Sequence, residues 1–285
     1  MSDITVINDS QQSDLVTNGL AKNGELYLKA AGSTNAGAIV AYDSGSWRTF
    51  ANEAVSYNNT RSLSFDGTDD YALASSLSGH AAPFTLSFWF YSSNNINMVP
   101  FHYQNNLWFR VVIRSGGVVR FYGSSDVNTP TTGGWVLNQW NHFAATVDGS
   151  GNVGLYLNGT YDSTHSGSSM SAVTSDFMVG AQWHLGSPIT EFNGELDEVA
   201  TWNAVLSNGG ASVGATAGGD IAAIYNSGVP NDLQDSGSYD TDRTSDLTNY
   251  WRMEEGSGTS VANAVSGGTA LSLNNDTSFS TNVPS

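Results

Sequence analysis

The sequence predicts an all-β protein: two antiparallel sheets packed as a sandwich, a small β region ahead of it, and one short helix near 220–227. Three observations point there. Only 12% of the 285 residues are charged, against 31 glycines and many Ser, Thr and Asn residues, which suits short strands joined by polar turns. Apolar residues recur at every second position in many short runs, the period of a half-buried strand. Clusters of Gly, Asn, Asp and Ser separate these runs.

The elements follow in order. Over 1–55, the stretches "GELYLKAAG", "AGAIVAYDSG" and "SWRTFANEA" read as short strands, with Tyr27, Val40, Tyr42, Trp47 and Phe50 as a small core. So small a core is marginal alone and leans on a neighbour or a symmetry mate. From 56 the strand signals become dense. "FTLSFWFYS" sets Phe84, Leu86, Phe88 and Phe90 on one face, with Thr85, Ser87, Trp89 and Tyr91 on the other. "LWFRVVIR", "VVRFYG", "DFMVGAQ" and "GELDEVATWN" add strands, and "FAATVDGSGNVGLYLNGT" reads as a hairpin around Asp148–Asn152. "DIAAIYNSGVP" carries the helix signal: Asp220 as cap, Ile221, Ile224 and Tyr225 on one face, Gly228 and Pro230 as stop. "NYWRMEEGSGTSVANAVSGG" and "TALSL" supply the last strands of a domain spanning 56–285 and closed by 249–285.

Charge and cysteine content exclude whole classes. Nine basic residues against 26 acidic ones give a net charge of −17. Such a surface repels nucleic-acid phosphate and anionic membranes. The absence of cysteine excludes a disulfide framework, a thiolate zinc site and a cysteine nucleophile. "MSDITVINDSQQSDLV" has neither the basic start nor the apolar run of a signal peptide, and no segment approaches the roughly 20 apolar residues of a membrane span.

Five stretches resemble, in order, the laminin-G-like domains of the concanavalin A-like lectin/glucanase superfamily: "LSFDGTDDYA", "FTLSFWF", "WNHFAATVDGSGNVGLYLNGT", "FNGELDEVATWNAVLS" and "DIAAIYNSG". The resemblance implies a jelly-roll sandwich whose relatives mostly bind carbohydrate or protein surfaces or serve as structural modules. In most of that family a segment like "YWRMEEGSGTS" precedes the "FDGTDDY" strand. Here it comes last, so the resemblance implies a circular permutation, which neighbouring termini make tolerable. Separately, "GELYLKAAGSTNAGAIVAYDSGSWRTF" and the ending "DTSFSTNVPS" are similar to segments of bacteriophage tail-fibre and virion proteins.

The resemblance implies calcium as a cofactor, held by Asp197, Glu255 and Asn263. Asn263 stands where an acid is usual, which lowers affinity. The competing reading makes Glu255 and Asp197 turn and strand-end acids bonded to backbone amides. Retaining glucanases of the superfamily need "E-x-D-x-E" on one strand, with two carboxyls about 5–5.5 Å apart. Here Glu195, Asp197 and Val199 occupy those places and Glu198 points the other way, so the pair is incomplete and no enzyme is expected. The histidines, His142 among them, fall in no catalytic frame and read as packed or hydrogen-bonded. Exposed aromatics stack on pyranose faces, and the turn-like contexts nominate Tyr103, Trp108, Trp135, Trp183 and His184 as sugar contacts. Trp89, Trp140, Trp202 and Trp251 read as core.

These readings converge on a non-enzymatic surface protein of a bacteriophage virion: a tail fibre, head fibre or capsid decoration. It would be made in the host cytoplasm, attach to other virion proteins through 1–55, and display a lectin-like domain for adhesion or weak host-glycan binding. A homo-oligomer is expected. The alternative is a stand-alone carbohydrate-binding module or an inactive relative of a polysaccharide-degrading enzyme.

Overall fold

In the computed structural model the described residues are 5–7, 26–29, 39–43, 46–49, 57–77, 81–103, 109–122, 134–166 and 175–285. The chain divides into two units, Met1–Asn58 and Asn59–Ser285. The first unit is a four-stranded sheet in the order β1 (Thr5–Ile7), β2 (Leu26–Lys29), β3 (Ile39–Asp43) and β4 (Ser46–Thr49). β1 runs parallel to β2, and the others pair antiparallel. Tyr27 stands opposite Val40, and Tyr42 opposite Trp47. Phe50, the fifth expected core residue, lies outside the described residues. β1 carries no sequence signal, because three residues are too few to show a period.

The second unit is a two-sheet antiparallel sandwich. The front sheet has the order β13 (Thr160–His165), β12 (Val153–Leu157), β11 (Trp140–Val147), β7 (Phe84–Tyr91), β17 (Asn193–Trp202), β5 (Ser62–Asp66), β21 (Ser278–Ser280). β18 (Leu247–Trp251) also pairs with β17. The back sheet has the order β10 (Val118–Tyr122), β9 (Arg110–Arg114), β8 (Met98–Tyr103), β14 (Ser175–Val179), β6 (Tyr71–Leu77), β20 (Leu271–Asn274), β19 (Ser260–Val261). A small hairpin, β15 (Gln182–His184) and β16 (Ser187–Ile189), stands apart.

Alternation decides which side chains meet between the sheets. Phe84, Leu86, Phe88 and Phe90 of β7 enter the main core with Phe143, Ala145 and Val147 of β11. The opposite face of β7 is buried as well. The segment after β17 folds over it and forms a second core from Ala144, Tyr156, Trp202, Leu206, Ile221, Ile224 and Tyr250. Trp89 packs there, stacked on Tyr225 at 5.8 Å and 19°. Trp140 departs from expectation: it is half-buried, and its Nε1 donates to Asn282 Oδ1 at 3.2 Å. At Gly180, with φ of 90°, a β-carbon would lie 2.3 Å from the Phe65 ring, so only glycine fits that close approach.

Helix α1 (Gly219–Tyr225) occupies the predicted place and passes into a 3-10 turn over Asn226–Gly228. Its N-cap is Gly218, not Asp220. Asp220 sits inside the first turn, fully buried, and accepts from Ser207 N at 3.1 Å, Thr241 N at 2.9 Å and Arg243 Nε at 3.0 Å. Burial alone would raise its carboxyl, but these donors outweigh it and hold the pKa below the usual value. Asp220 thus ties the covering segment together instead of capping the helix.

Candidate ligand cleft

The five expected sugar contacts separate in space. Tyr103 is 2% exposed and packs among Phe101, Phe109 and Phe177. Trp135 is 5% exposed, with its Nε1 donating to Arg114 O at 3.2 Å. A ring enclosed on both faces cannot stack on a sugar, which removes Tyr103 and Trp135 from the set. Their sequence context reads as a turn, but Tyr103 ends strand β8 and both rings belong to the main core. Trp108 lies outside the described residues. Trp183 and His184 remain, on the β15–β16 hairpin. Trp183 is half-buried with its edge toward Tyr71 at 6.2 Å, and its backbone N–H donates to His102 Nδ1 at 3.2 Å. His184 is exposed.

The calcium set expected from the family does not fit as these side chains stand. Asp197 is fully buried; its Oδ1 accepts from Glu198 N at 2.9 Å and its Oδ2 from Asn59 Nδ2 at 3.0 Å. Burial, and then the neighbouring Glu198 charge, push its carboxyl well up. Asn263 Oδ1 accepts from both Tyr250 N at 3.1 Å and Val265 N at 3.0 Å. Its two lone pairs are therefore taken. Glu255 is exposed and accepts from Ala262 N at 2.7 Å. Calcium wants six to eight oxygens, and this trio has few to spare.

β17 carries a bulge at these acids. The register slips between Asp197 and Ala200, and Glu198 sits at φ 50°. Val199 consequently enters the main core, while Glu198 is buried beside Ser87 and His142, accepting from the Tyr250 hydroxyl. Ser87 Oγ lies 2.7 Å from His142 Nε2, but both are at most 2% exposed. A nucleophile must reach its substrate, so this group is structural, as expected for His142. His80 lies outside the described residues.

The sequence did not nominate the cleft that the fold builds. It encloses about 310 Å³ between the outer face of β11–β13 and the loop after β17, at the lower end of ligand-pocket sizes. A bulge between Leu155 and Tyr156 brings Tyr156 opposite Tyr161, and their rings stack at 5.0 Å and 22°. Tyr156 is 4% exposed and forms the floor, while Tyr161 is half-buried and forms a wall. Burial raises the Tyr156 phenol to about 12, against hydrogen bonds with Thr146 and Asn208, so it stays a neutral donor. Asp148 on the rim accepts from Asn152 Nδ2 at 2.7 Å and from the backbone N–H groups of Ser150 and Asn152, both at 2.8 Å. The Asn152 side chain chiefly holds its carboxyl below the usual value. Asp148 is the one acidic lining residue, so the cleft offers acceptors, donors and an aromatic face without a carboxylate pair for glycoside cleavage. A wider depression at Asp232, Asp235 and Asp242 has no aromatic wall.

A two-sheet jelly roll with a polar, aromatic-walled cleft defines a lectin-like sandwich. The family model for the concanavalin A-like lectin/glucanases superfamily, of the laminin G type, matches residues 66–210, and the chain belongs to this family. No curated protein matches the chain. Among solved structures, a proposed carbohydrate binding protein from Bacteroides ovatus is similar with a TM-score of 0.56 and 15% identity, over 92% of this chain and 71% of its own. Domain 4 of an extracellular arabinanase from Geobacillus stearothermophilus, in complex with arabinotriose, gives 0.43 and 15%, over 68% and 91%. At such identities the likeness is one of fold.

Proposed function

We propose that this chain is a non-enzymatic display protein of a bacteriophage virion surface, a tail fibre, head fibre or capsid decoration whose sandwich binds host-surface glycans. The observation that carries the glycan reading is the cleft, where Tyr161 stands over Tyr156 beside Asp148, Asn152 and Asn208. Stacking on an aromatic face plus hydrogen bonds from amides and carboxylates is the chemistry that recognises a pyranose. The Bacteroides ovatus structure, described as carbohydrate binding, supports the same reading.

The virion reading is supported by the tail-fibre-like stretch that forms β2, β3 and β4 in a unit of its own, the part offered to other virion proteins. Many copies on one particle, or a homo-oligomer, convert weak sites into useful avidity. A second reading, a stand-alone carbohydrate-binding module or an inactive relative of a polysaccharide-degrading enzyme, rests on the same cleft without the particle.

Glycan-array binding by the intact chain, lost in Tyr161→Ala and in Asn208→Ala, tests the cleft. Binding that survives both variants removes it. Immunogold labelling of virions tests the particle: labelled fibres or shells are expected, and glycan binding with unlabelled virions selects the stand-alone module. Reducing sugar released from β-glucans above background would overturn the non-enzymatic reading.

A further inference from the structure

We propose that the loop joining β5 to β6 is a calcium-type cation site formed by Asp66, Asp69 and Asp70. One carboxylate oxygen from each of the three lies within 4.8 Å of the others. Calcium–oxygen bonds of about 2.3–2.6 Å let one ion bridge oxygens up to about 5 Å apart.

An acidic cluster alone would not make a site, but Asp70 adds an independent observation. It is 1% exposed, and its Oδ1 has no hydrogen-bond partner. Its Oδ2 accepts from Asp66 N at 2.8 Å, which folds the loop back on itself and holds the Asp70 carboxylate close to the other two. Among the described residues, no lysine or arginine forms an ion pair with any of the three. A buried, unpaired anionic oxygen is costly unless a cation or a proton offsets it.

The site is held from outside the loop. Asn193 Nδ2, at the start of β17, donates to Asp66 O, and Asn275 Nδ2, between β20 and β21, donates to Asp69 O at 2.6 Å. Gly67 has φ of 78°, and a β-carbon there would lie 2.6 Å from Asn193, so the loop backbone fits its surroundings closely. The donors are hard oxygens without nitrogen or sulfur, which selects calcium-like ions over zinc or copper. Two of the three acids are exposed, which leaves room for water to complete the shell. This site shares no residue with the family-type trio of Asp197, Glu255 and Asn263.

Tyr71 and Trp183, in edge contact beside the loop, are natural sensitisers for a lanthanide probe. Terbium luminescence of the intact protein, with calcium chloride as competitor, is the measurement. We expect one displaceable terbium, weakened at least about tenfold by Asp69→Asn and abolished by Asp70→Asn, with Glu255→Gln unchanged. Asp69 is exposed, so its substitution decides the question even if the Asp70 variant fails to fold. No calcium-competed luminescence, or affinity unaltered in Asp69→Asn, would overturn the proposal. Loss in Glu255→Gln with Asp69→Asn intact would overturn it too, by moving the ion to the family-type trio.

Discussion

Trp251 of β18 stacks on Phe177 of β14, with ring centroids 4.9 Å apart and planes 23° apart. One residue belongs to the front sheet and the other to the back, and both are fully buried. The Trp251 Nε1 also donates to Thr269 O at 3.0 Å, so the last part of the chain braces the indole that bridges the sandwich. β20 and β21 then pair with β6 and β5, one in each sheet.

Removing residues 249–285 should therefore unfold the sandwich. Trp251→Ala, a milder change, should cost about 3–5 kcal/mol through the cavity it leaves. Urea denaturation checks both. A truncated chain with an unchanged midpoint would refute the closure.

Asn263→Asp should destabilise, although an acid is usual at this place in the family. The Asn263 Nδ2 donates to Asn249 Oδ1 at 2.8 Å. An aspartate would set two acceptors against each other and leave Asn249 without that donor, at a cost of about 1–3 kcal/mol. Thermal melts with and without calcium are the check. A higher midpoint that appears only with calcium would show that the trio does hold the ion.

Stability should fall as the solution is acidified below the ordinary histidine range. Burial pushes His142 down to about 3, and burial with the Arg110 charge pushes His102 down to about 4. The unfolded chain takes up protons near 6.5 that the folded chain refuses, so stability is lost as pH drops from there toward 4. Asp197 opposes this: its raised carboxyl keeps a proton in the folded chain and loses that contribution as pH rises. The comparison with His142→Gln isolates the histidine. The cost of that substitution should be larger at pH of about 7.5 than at about 4.5, where the wild type has already lost part of the contribution. A pH-independent difference would contradict it.

Gly154→Ala should distort the ligand cleft. A β-carbon there would lie 2.8 Å from Thr146 Oγ1 and 3.1 Å from the Tyr156 hydroxyl. The Thr146 hydroxyl must shift and Tyr156 must give way by a few tenths of an ångström, with a stability loss of about 1–3 kcal/mol from overpacking. Weaker glycan binding in calorimetry should accompany it. Gly149→Ala, where nothing lies within 4 Å, is the matched control and should change neither quantity.

Much of the fold was legible because local pattern and burial coincide. Alternation in β7 assigned Phe84, Leu86, Phe88 and Phe90 to one side, and the core holds all four. The helix signal at 220–227 also found its place, although Asp220 took a tertiary role in preference to a cap. The site was less legible. Tyr103 and Trp135 share the turn-like context of an exposed aromatic, but whether a ring keeps a free face depends on distant chain. The bulges at Tyr156 and Glu198 shift the phase of their strands, and no residue type announces a bulge.

By itself, then, the sequence determined the class of fold, most strands and the helix, because these follow from period, composition and spacing within a few residues. Only the tertiary structure decided which polar groups converge. Tyr156 meets Tyr161 through a bulge, and the loop after β17 lines the cleft beside them. Asp70 is buried where segments 127 and 206 residues away donate to its loop. Such contacts depend on how sheets pack and loops cross, and a local pattern carries no record of partners that far along the chain.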